Sequence, residues 1–386
     1  MSTVPIELPL KASEAAALAD LIFQHLDARN LTDDIRNRLG ARLPSLGLTN
    51  IQPFIGSLQK DPVHSSTYYI VVDAQSQQGP RPFLLHIALA SSPASGLFPD
   101  AILIGRMRPG GGREIVVNAI PFGPNDHYNV RVFAEQIDRG FLPRPQAKQT
   151  LVVVGSADPE AGIPAAFEGF RQVQRTYGVN LACPVQISAD AGADSLSNAF
   201  HLGLWSAIRA GWRDGYGAEL SLSLHATNAE SLAATRSMIR TAAGFTRFAL
   251  QLGSASDVEA AEAIYDEVRA VRAQQESWKH FDFELSFAKP SGTQDATSVL
   301  ERFRTQGRAL TSYGGTNLEE ILPAAKTFGL TPSIQLAPGF SLKSVQEMAR
   351  LSGGRLQVKI PAQGSPKNER SRVLGAIETV AQALRA

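Results

Sequence analysis

The stretch Glu219-Leu220-Ser221-Leu222-Ser223-Leu224-His225 alternates leucine with polar or charged side chains at every step. A period of two marks a β-strand with two unlike faces, because successive Cβ atoms point to opposite sides. One face is all leucine, which suits burial beneath a layer of helices. The other carries Glu219, Ser221, Ser223 and His225. The alternation recurs downstream: Phe281, Phe283, Leu285 and Phe287 interleave with Asp282, Glu284 and Ser286, and Phe248, Leu250 and Leu252 interleave with Arg247, Ala249 and Gln251. Leu356, Val358 and Ile360 likewise interleave with Gln357 and Lys359. These runs predict strands whose apolar sides meet helices and whose polar sides share a central axis.

From Thr150 onward strand-like and helical runs alternate, eight of each. The strands are expected at Leu151–Gly155, Pro184–Ala189, Glu219–His225, Arg247–Leu252, Phe281–Phe287, Ala309–Tyr313, Ser333–Leu336 and Leu356–Ile360. Helical runs such as Ala165–Tyr177, Asp257–Gln275 and Arg370–Leu384 separate and follow them. Eight β-then-α units predict an α/β fold of the (βα)8 TIM-type barrel. A doubly wound open sheet calls for a glycine-rich phosphate turn after its first strand, and Gly155-Ser156-Ala157-Asp158-Pro159 lacks one. The preceding chain differs in character. Helical runs Ser13–Arg29 and Leu31–Ala41 lead into β-rich runs at Ile51–Ile55, Thr67–Val72, Phe83–Ala90, Ala101–Arg106 and Glu114–Ile120, broken by the turn-forming Gln78–Pro82 and Pro109–Gly112. The expected organisation is a smaller α+β N-terminal domain over residues 1–125, a helix and linker over 126–149, and the barrel over 150–386.

Of 386 residues, 44% are apolar and 19% charged, which excludes a disordered chain. Lys and Arg total 37 against 36 Asp and Glu, so no global field draws in nucleic acid or an anionic membrane. No apolar run nears the roughly 20 residues of a membrane span, and the opening MSTVPIELPL lacks a signal-peptide pattern, so a cytoplasmic protein is expected. A single cysteine, Cys183, excludes a disulfide framework.

Charges on a barrel axis must pair with one another or face a watered cavity, since burying a lone ion costs several kcal/mol or more. Arg247 opens its strand and is expected deep, neutralising Asp282 or Glu219. Lys359, His225, Ser286 and Gln251 lie toward the C-terminal strand ends, where barrel active sites form. Lys359 can bind a carboxylate, polarise a carbonyl, or attack one once its pKa falls. Lys289 after the fifth strand and Lys343 after the seventh would complete a ring of ammonium groups suited to an anionic sugar. His225 is a candidate general base near neutral pH, and Glu284 a second proton carrier. Gln186 and Gln335 offer amides from the second and seventh strands. Gly314 and Gly315, expected just after the sixth strand, could present backbone N–H groups to an anion. Asp158 and Asp190 follow the first two strands, where an aspartate commonly caps a helix.

Three segments carry a resemblance. Leu204-Trp205 through Gly211-Trp212-Arg213-Asp214-Gly215-Tyr216-Gly217-Ala218-Glu219, Phe281-Asp282-Phe283-Glu284-Leu285-Ser286, and Gly353-Gly354-Arg355-Leu356-Gln357-Val358-Lys359 together resemble the tagaturonate epimerase family. Its members are metal-dependent barrel enzymes thought to invert C4 of a hexuronate ketose by retro-aldol cleavage and re-addition. This chain departs from the family at its metal-ligand segments. Leu220-Ser221-Leu222-Ser223 stands where the family carries an acid and a histidine, Ala288-Lys289 where it has acids, and Ala337-Pro338-Gly339 where it has a histidine. A lysine in place of an acid disfavours a divalent metal electrostatically.

The resemblance and its departures therefore imply a sugar-acid epimerase, isomerase or aldolase-type enzyme with no cofactor; a divalent metal is disfavoured, and one recruited through His225, Asp158 and Asp190 ranks last among the readings. Lys359, His225 and Glu284 would be catalytic; Lys343, Lys289, Gln251, Ser286, Gln186, Gly314 and Gly315 would bind a small anionic sugar or sugar acid. The alternative is a non-catalytic barrel that binds such a sugar or serves as a scaffold. An N-terminal sheet with free edges could close the mouth or join subunits of a homo-oligomer.

Overall fold

The structure is a computed structural model that describes residues 8–25, 31–64, 66–91, 96–108, 112–146, 150–156, 158–178, 185–188, 192–224, 229–242, 244–274, 280–288, 293–337, 340–362 and 368–385. The chain divides into two compact units. One runs through Phe141 and takes in Leu204–Arg213; the other comprises Leu142–Gly203 and Asp214–Ala386. No helix among the described residues is long and apolar enough to cross a membrane.

In the first unit, helices α1 (Ala12–His25) and α2 (Asp33–Gly40) precede six strands: β1 (Ile51–Pro53), β2 (Gln59–Lys60), β3 (Thr67–Ser76), β4 (Gly79–Leu89), β5 (Ile102–Met107) and β6 (Ile115–Pro121). The antiparallel order is β1-β3-β4-β6-β5, with β2 also on β3. Leu18 and Ile22 of α1 join Ile70, Val72, Leu85, Ile87 and Val117 in one fully buried cluster, the alternate residues of three strands meeting one helix.

The expected turn Gln78–Pro82 shrinks to the two residues between Ser76 and Gly79, which pair across the hairpin. Gly79, at φ +103°, makes that return. Pro80 and Pro82 sit in β4 proper, opposite Gln75 and Asp73. They are tolerated because β6 joins β4 only from Phe83 onward, so neither missing N–H interrupts a second ladder. The helix expected within residues 126–149 appears as α3 (His127–Val132) followed by a wider turn, Phe133–Ile137. Asp126, at the N-cap of α3, makes no side-chain cap and accepts from the Gly123 N–H at 2.5 Å.

The second unit carries eight parallel strands: β7 (Leu151–Val154), β8 (Val185–Ser188), β9 (Ala218–Leu224), β10 (Arg247–Leu252), β11 (Asp282–Phe287), β12 (Ser312–Gly315), β13 (Thr331–Gln335) and β14 (Gln357–Ile360). Each leads to a helix: α4 (Pro159–Tyr177), α5 (Gly192–Ala210), α6 (Ala229–Thr241), α7 (Val258–Ala273), α8 (Thr293–Thr305), α9 (Leu318–Phe328), α10 (Leu342–Leu351) and α11 (Glu369–Arg385). The hydrogen-bonded order is β7-β14-β13-β12-β11-β10-β9-β8.

This sheet is strongly curled. Arg247 on β10 bonds Gln357 on β14 at 2.6 Å, although four strand intervals separate them along the ladder. In a flat sheet those strands would stand ~19 Å apart. The second unit is TIM-barrel-like, a parallel curled sheet with helices between its strands, and the antiparallel sheet belongs to the first unit.

Candidate functional site

Along each inward face, burial falls from the strand start to its C-terminal end. Glu219 is buried, Ser221 half-buried and Ser223 exposed; Arg247 is buried and Gln251 half-buried. Glu284 gives way to Ser286, and Gln357 to Lys359, in the same sense. The interior is therefore closed below and opens at the end where the βα loops begin, as barrel sites do.

At the closed end four charges form a ring. Arg247 Nε donates to Glu219 Oε2 and its Nη2 to Glu284 Oε2, both at 2.5 Å. Lys359 Nζ lies 3.1 Å from Glu219 Oε1 and 2.8 Å from Glu284 Oε1. Each carboxylate thus touches two cations, and each cation two carboxylates. Ser221 Oγ donates to Glu219 and Ser312 Oγ to Glu284, at 3.2 and 3.3 Å. The side chains of Glu219 and Arg247 are 0% exposed and that of Glu284 3%. Ions this deep persist only when paired and hydrogen-bonded, a condition the ring meets.

Arg247 is deep, as expected, but one of its two carboxylates is Glu284 and not Asp282. Asp282 accepts from the Gln146 N–H at 2.6 Å. The parallel register places Arg247 beside Glu219 and Asp282, and its guanidinium reaches one inward layer up the neighbouring strand, where Glu284 stands opposite Ala249.

Burial works against the Lys359 ammonium, but the fields of Glu219 and Glu284 outweigh it and raise its pKa above the ordinary 10.5. Burial likewise opposes the Glu219 carboxylate, and Lys359 and Arg247 outweigh it and lower its pKa below 4.5. Of the roles the sequence left open to Lys359, attack on a carbonyl needs a fallen pKa, whereas its two carboxylate partners shift it upward.

Above the ring lies a cavity of about 150 Å³. Its wall is hydroxyl- and amide-rich: Ser221, Ser223, Gln251, Ser286, Thr316, Ser333 and Gln335, with Glu284 and Lys359 at the base. A cavity of this size admits a six-carbon ring. Polar groups converging from many strands suit a polyhydroxylated ligand, since each hydroxyl needs a donor or an acceptor when desolvated.

Of the residues singled out in the sequence, Lys359, Glu284, Gln251, Ser286 and Gly315 meet in this cavity. Gly314 and Gly315 fall inside β12, not after it. Gly314 leaves room for an acid: a Cβ there would stand 2.7 Å from Glu284 Oε1. Lys343 lies exposed in the first turn of α10 and does not line the cavity. Gln186 stands opposite Glu219 in the register of β8 and β9, and its side chain lies outside the described ones. His225, Lys289 and Asp190 lie outside the described residues. Asp158 caps α4 by accepting from the Ala161 N–H. Ser333 and Thr316 were not singled out, although Ser333 precedes Gln335 by two, the spacing that marks one face of a strand. Among the described residues no group of three or more His, Cys, Asp and Glu side chains could hold a metal ion.

No protein family matches the chain. No curated protein matches it either. Among solved structures, the native fructuronate-tagaturonate epimerase from Cohnella laeviribosi is similar at 15% identity and a TM-score of 0.53, over 84% of this chain and 74% of that one. Its complex with two glycerol molecules aligns at 14% identity and a TM-score of 0.54, with the same coverage. At such identity the likeness is one of fold: this chain shares the architecture of that epimerase.

Proposed function

We propose that this protein is a sugar-acid epimerase or isomerase acting at the C-terminal mouth of a closed (βα)8 barrel. The observation that carries the reading is the polar cavity floored by Lys359, an ammonium anchored between two carboxylates. Closure is supported by the reach of Lys359 to Glu219, five strand intervals apart along the ladder, and by the approach of β7 and β8 to within 8 Å. The substrate is a small hexuronate-like ketose, in keeping with the shared fold and the hydroxyl-rich wall.

In this reading Lys359 stabilises the oxygen on which negative charge develops when a proton leaves the carbon beside the carbonyl, or when the carbon–carbon bond opens. It acts as a cation and not through an imine, which needs the neutral amine. Glu284, clamped between Arg247 and Lys359, holds the lysine in place. The mobile proton falls to His225, next in sequence to the C-terminal end of β9. The reaction runs without a divalent metal in this cavity, because Glu219 and Glu284 already have their charge balanced by two cations.

One observation favours a second reading, a barrel that binds a sugar without turning it over: the four charges neutralise one another and need no ligand. NMR of fructuronate and tagaturonate incubated with the protein separates the two. Interconversion that falls about a hundredfold in Lys359→Met supports the enzyme. Saturable binding without interconversion establishes the second reading, and absence of both overturns the two together.

A further inference from the structure

At the cavity floor and in the buried layer below it are polar atoms that the charge ring leaves unused. Ser333 is 1% exposed and lines the cavity, yet its Oγ has no hydrogen-bond partner. Gln357, its register neighbour on β14, is 0% exposed, and its Nε2 also lacks a partner. The amide cannot simply be turned over, because Oε1 accepts from Arg247 Nη2 at 2.6 Å. Lys359 carries three N–H groups and spends two on Glu219 and Glu284. Buried polar atoms are almost always satisfied, so orphans on two register-paired residues at the base of a cavity mark a place built for another molecule's atom. All three groups can donate, and what unites donors is an oxygen acceptor.

We propose that Ser333 Oγ, with Gln357 Nε2 of the register-paired residue, forms a subsite beside the Lys359 ammonium that seats a carboxylate oxygen of a small hydroxy acid, the third N–H of Lys359 being left for the reacting oxygen. The subsite deepens the sugar-acid reading and rests on it. Ser333 is then a substrate-binding residue, and the wall above it selects for hydroxyls.

Glycerate is a probe small enough for the cavity, and glycerol is its uncharged counterpart. Ligand-observed NMR titration of the full-length protein should show glycerate binding more tightly than glycerol. Ser333→Ala should weaken glycerate about tenfold, as losing a hydrogen bond to a charged group does, and leave glycerol little changed. The ligand-free variant should melt within ~1 °C of the parent, since its hydroxyl bonds nothing in the folded chain. Unchanged glycerate affinity in Ser333→Ala overturns the subsite, as does a fall of several degrees in ligand-free melting, which would show the hydroxyl to be a structural bond. Failure of the parent to bind glycerate also overturns it, while ketose interconversion by the same preparation would leave the enzymatic reading standing. Glycerate binding lost in Ser333→Ala without any interconversion would sink the epimerase and keep the subsite.

Discussion

Replacing Arg247 with methionine removes one cation from a ring of four buried charges. Methionine approximates the length of the arginine stem, so the change is chiefly electrostatic. Glu219 and Glu284 would then share only Lys359, leaving one uncompensated negative charge at a site where the carboxylates are 0% and 3% exposed. Breaking a buried pair by deleting one partner costs about 3–5 kcal/mol. With 2–4 °C of melting temperature per kcal/mol for a unit of this size, the expected fall is about 6–20 °C. Urea unfolding followed by circular dichroism measures the loss. The loss should shrink as pH drops from 8 to 5.5, because the surplus carboxylate in the variant takes up a proton on folding and the parent does not. Adding Glu219→Gln to Arg247→Met should recover part of the stability, a coupling that a double-mutant cycle reads directly. A loss below about 1 kcal/mol, independent of pH and additive with Glu219→Gln, would refute the claim that the ring is a mutually dependent unit.

Two further outcomes follow from the same geometry. Gly314→Ala places a Cβ 2.7 Å from Glu284 Oε1 and 3.3 Å from Ser333 Cβ, so it should cost about 1–3 kcal/mol by overpacking; thermal melting at parental stability would show that Glu284 can shift freely. The raised pKa of Lys359 means that its ion pairs contribute fully below 10.5 and lose their contribution as pH rises through the folded value; the lowered pKa of Glu219 means the reverse, a contribution present above 4.5 and lost as pH falls through its folded value. Lys359→Met should therefore flatten the alkaline limb of a stability-against-pH curve, and an unchanged alkaline limb would count against the pairing.

Much of the second unit was legible because its signals are local. The observed β9, β10, β11 and β14 each fall within one residue of the alternating runs that predicted them. Alternation depends only on the two-residue repeat of an extended chain, so no knowledge of neighbours is required. The glycine pair Gly353-Gly354, at φ +66° and +80°, follows the end of α10, since left-handed glycines commonly terminate a helix. Errors gathered where the decision was not local. Residues Gly79–Pro82 looked like a turn because prolines disfavour strands, yet a strand paired on one side can hold them there. Gly314 looked like a loop glycine, and only the neighbouring strand shows that it makes room for Glu284.

The amino-acid sequence by itself determined which residues face the axis: Glu219, Arg247, Glu284, Gln357 and Lys359 stand at polar positions of strands whose other positions are apolar. It did not determine which of them would meet. Arg247 reaches Gln357, and Lys359 reaches Glu219, only because the sheet curls until strands four and five intervals apart face one another across a few ångströms. The reach of a side chain is short and its face is set within its own strand, but its partner is chosen by the curvature of the whole sheet, a property no single segment encodes.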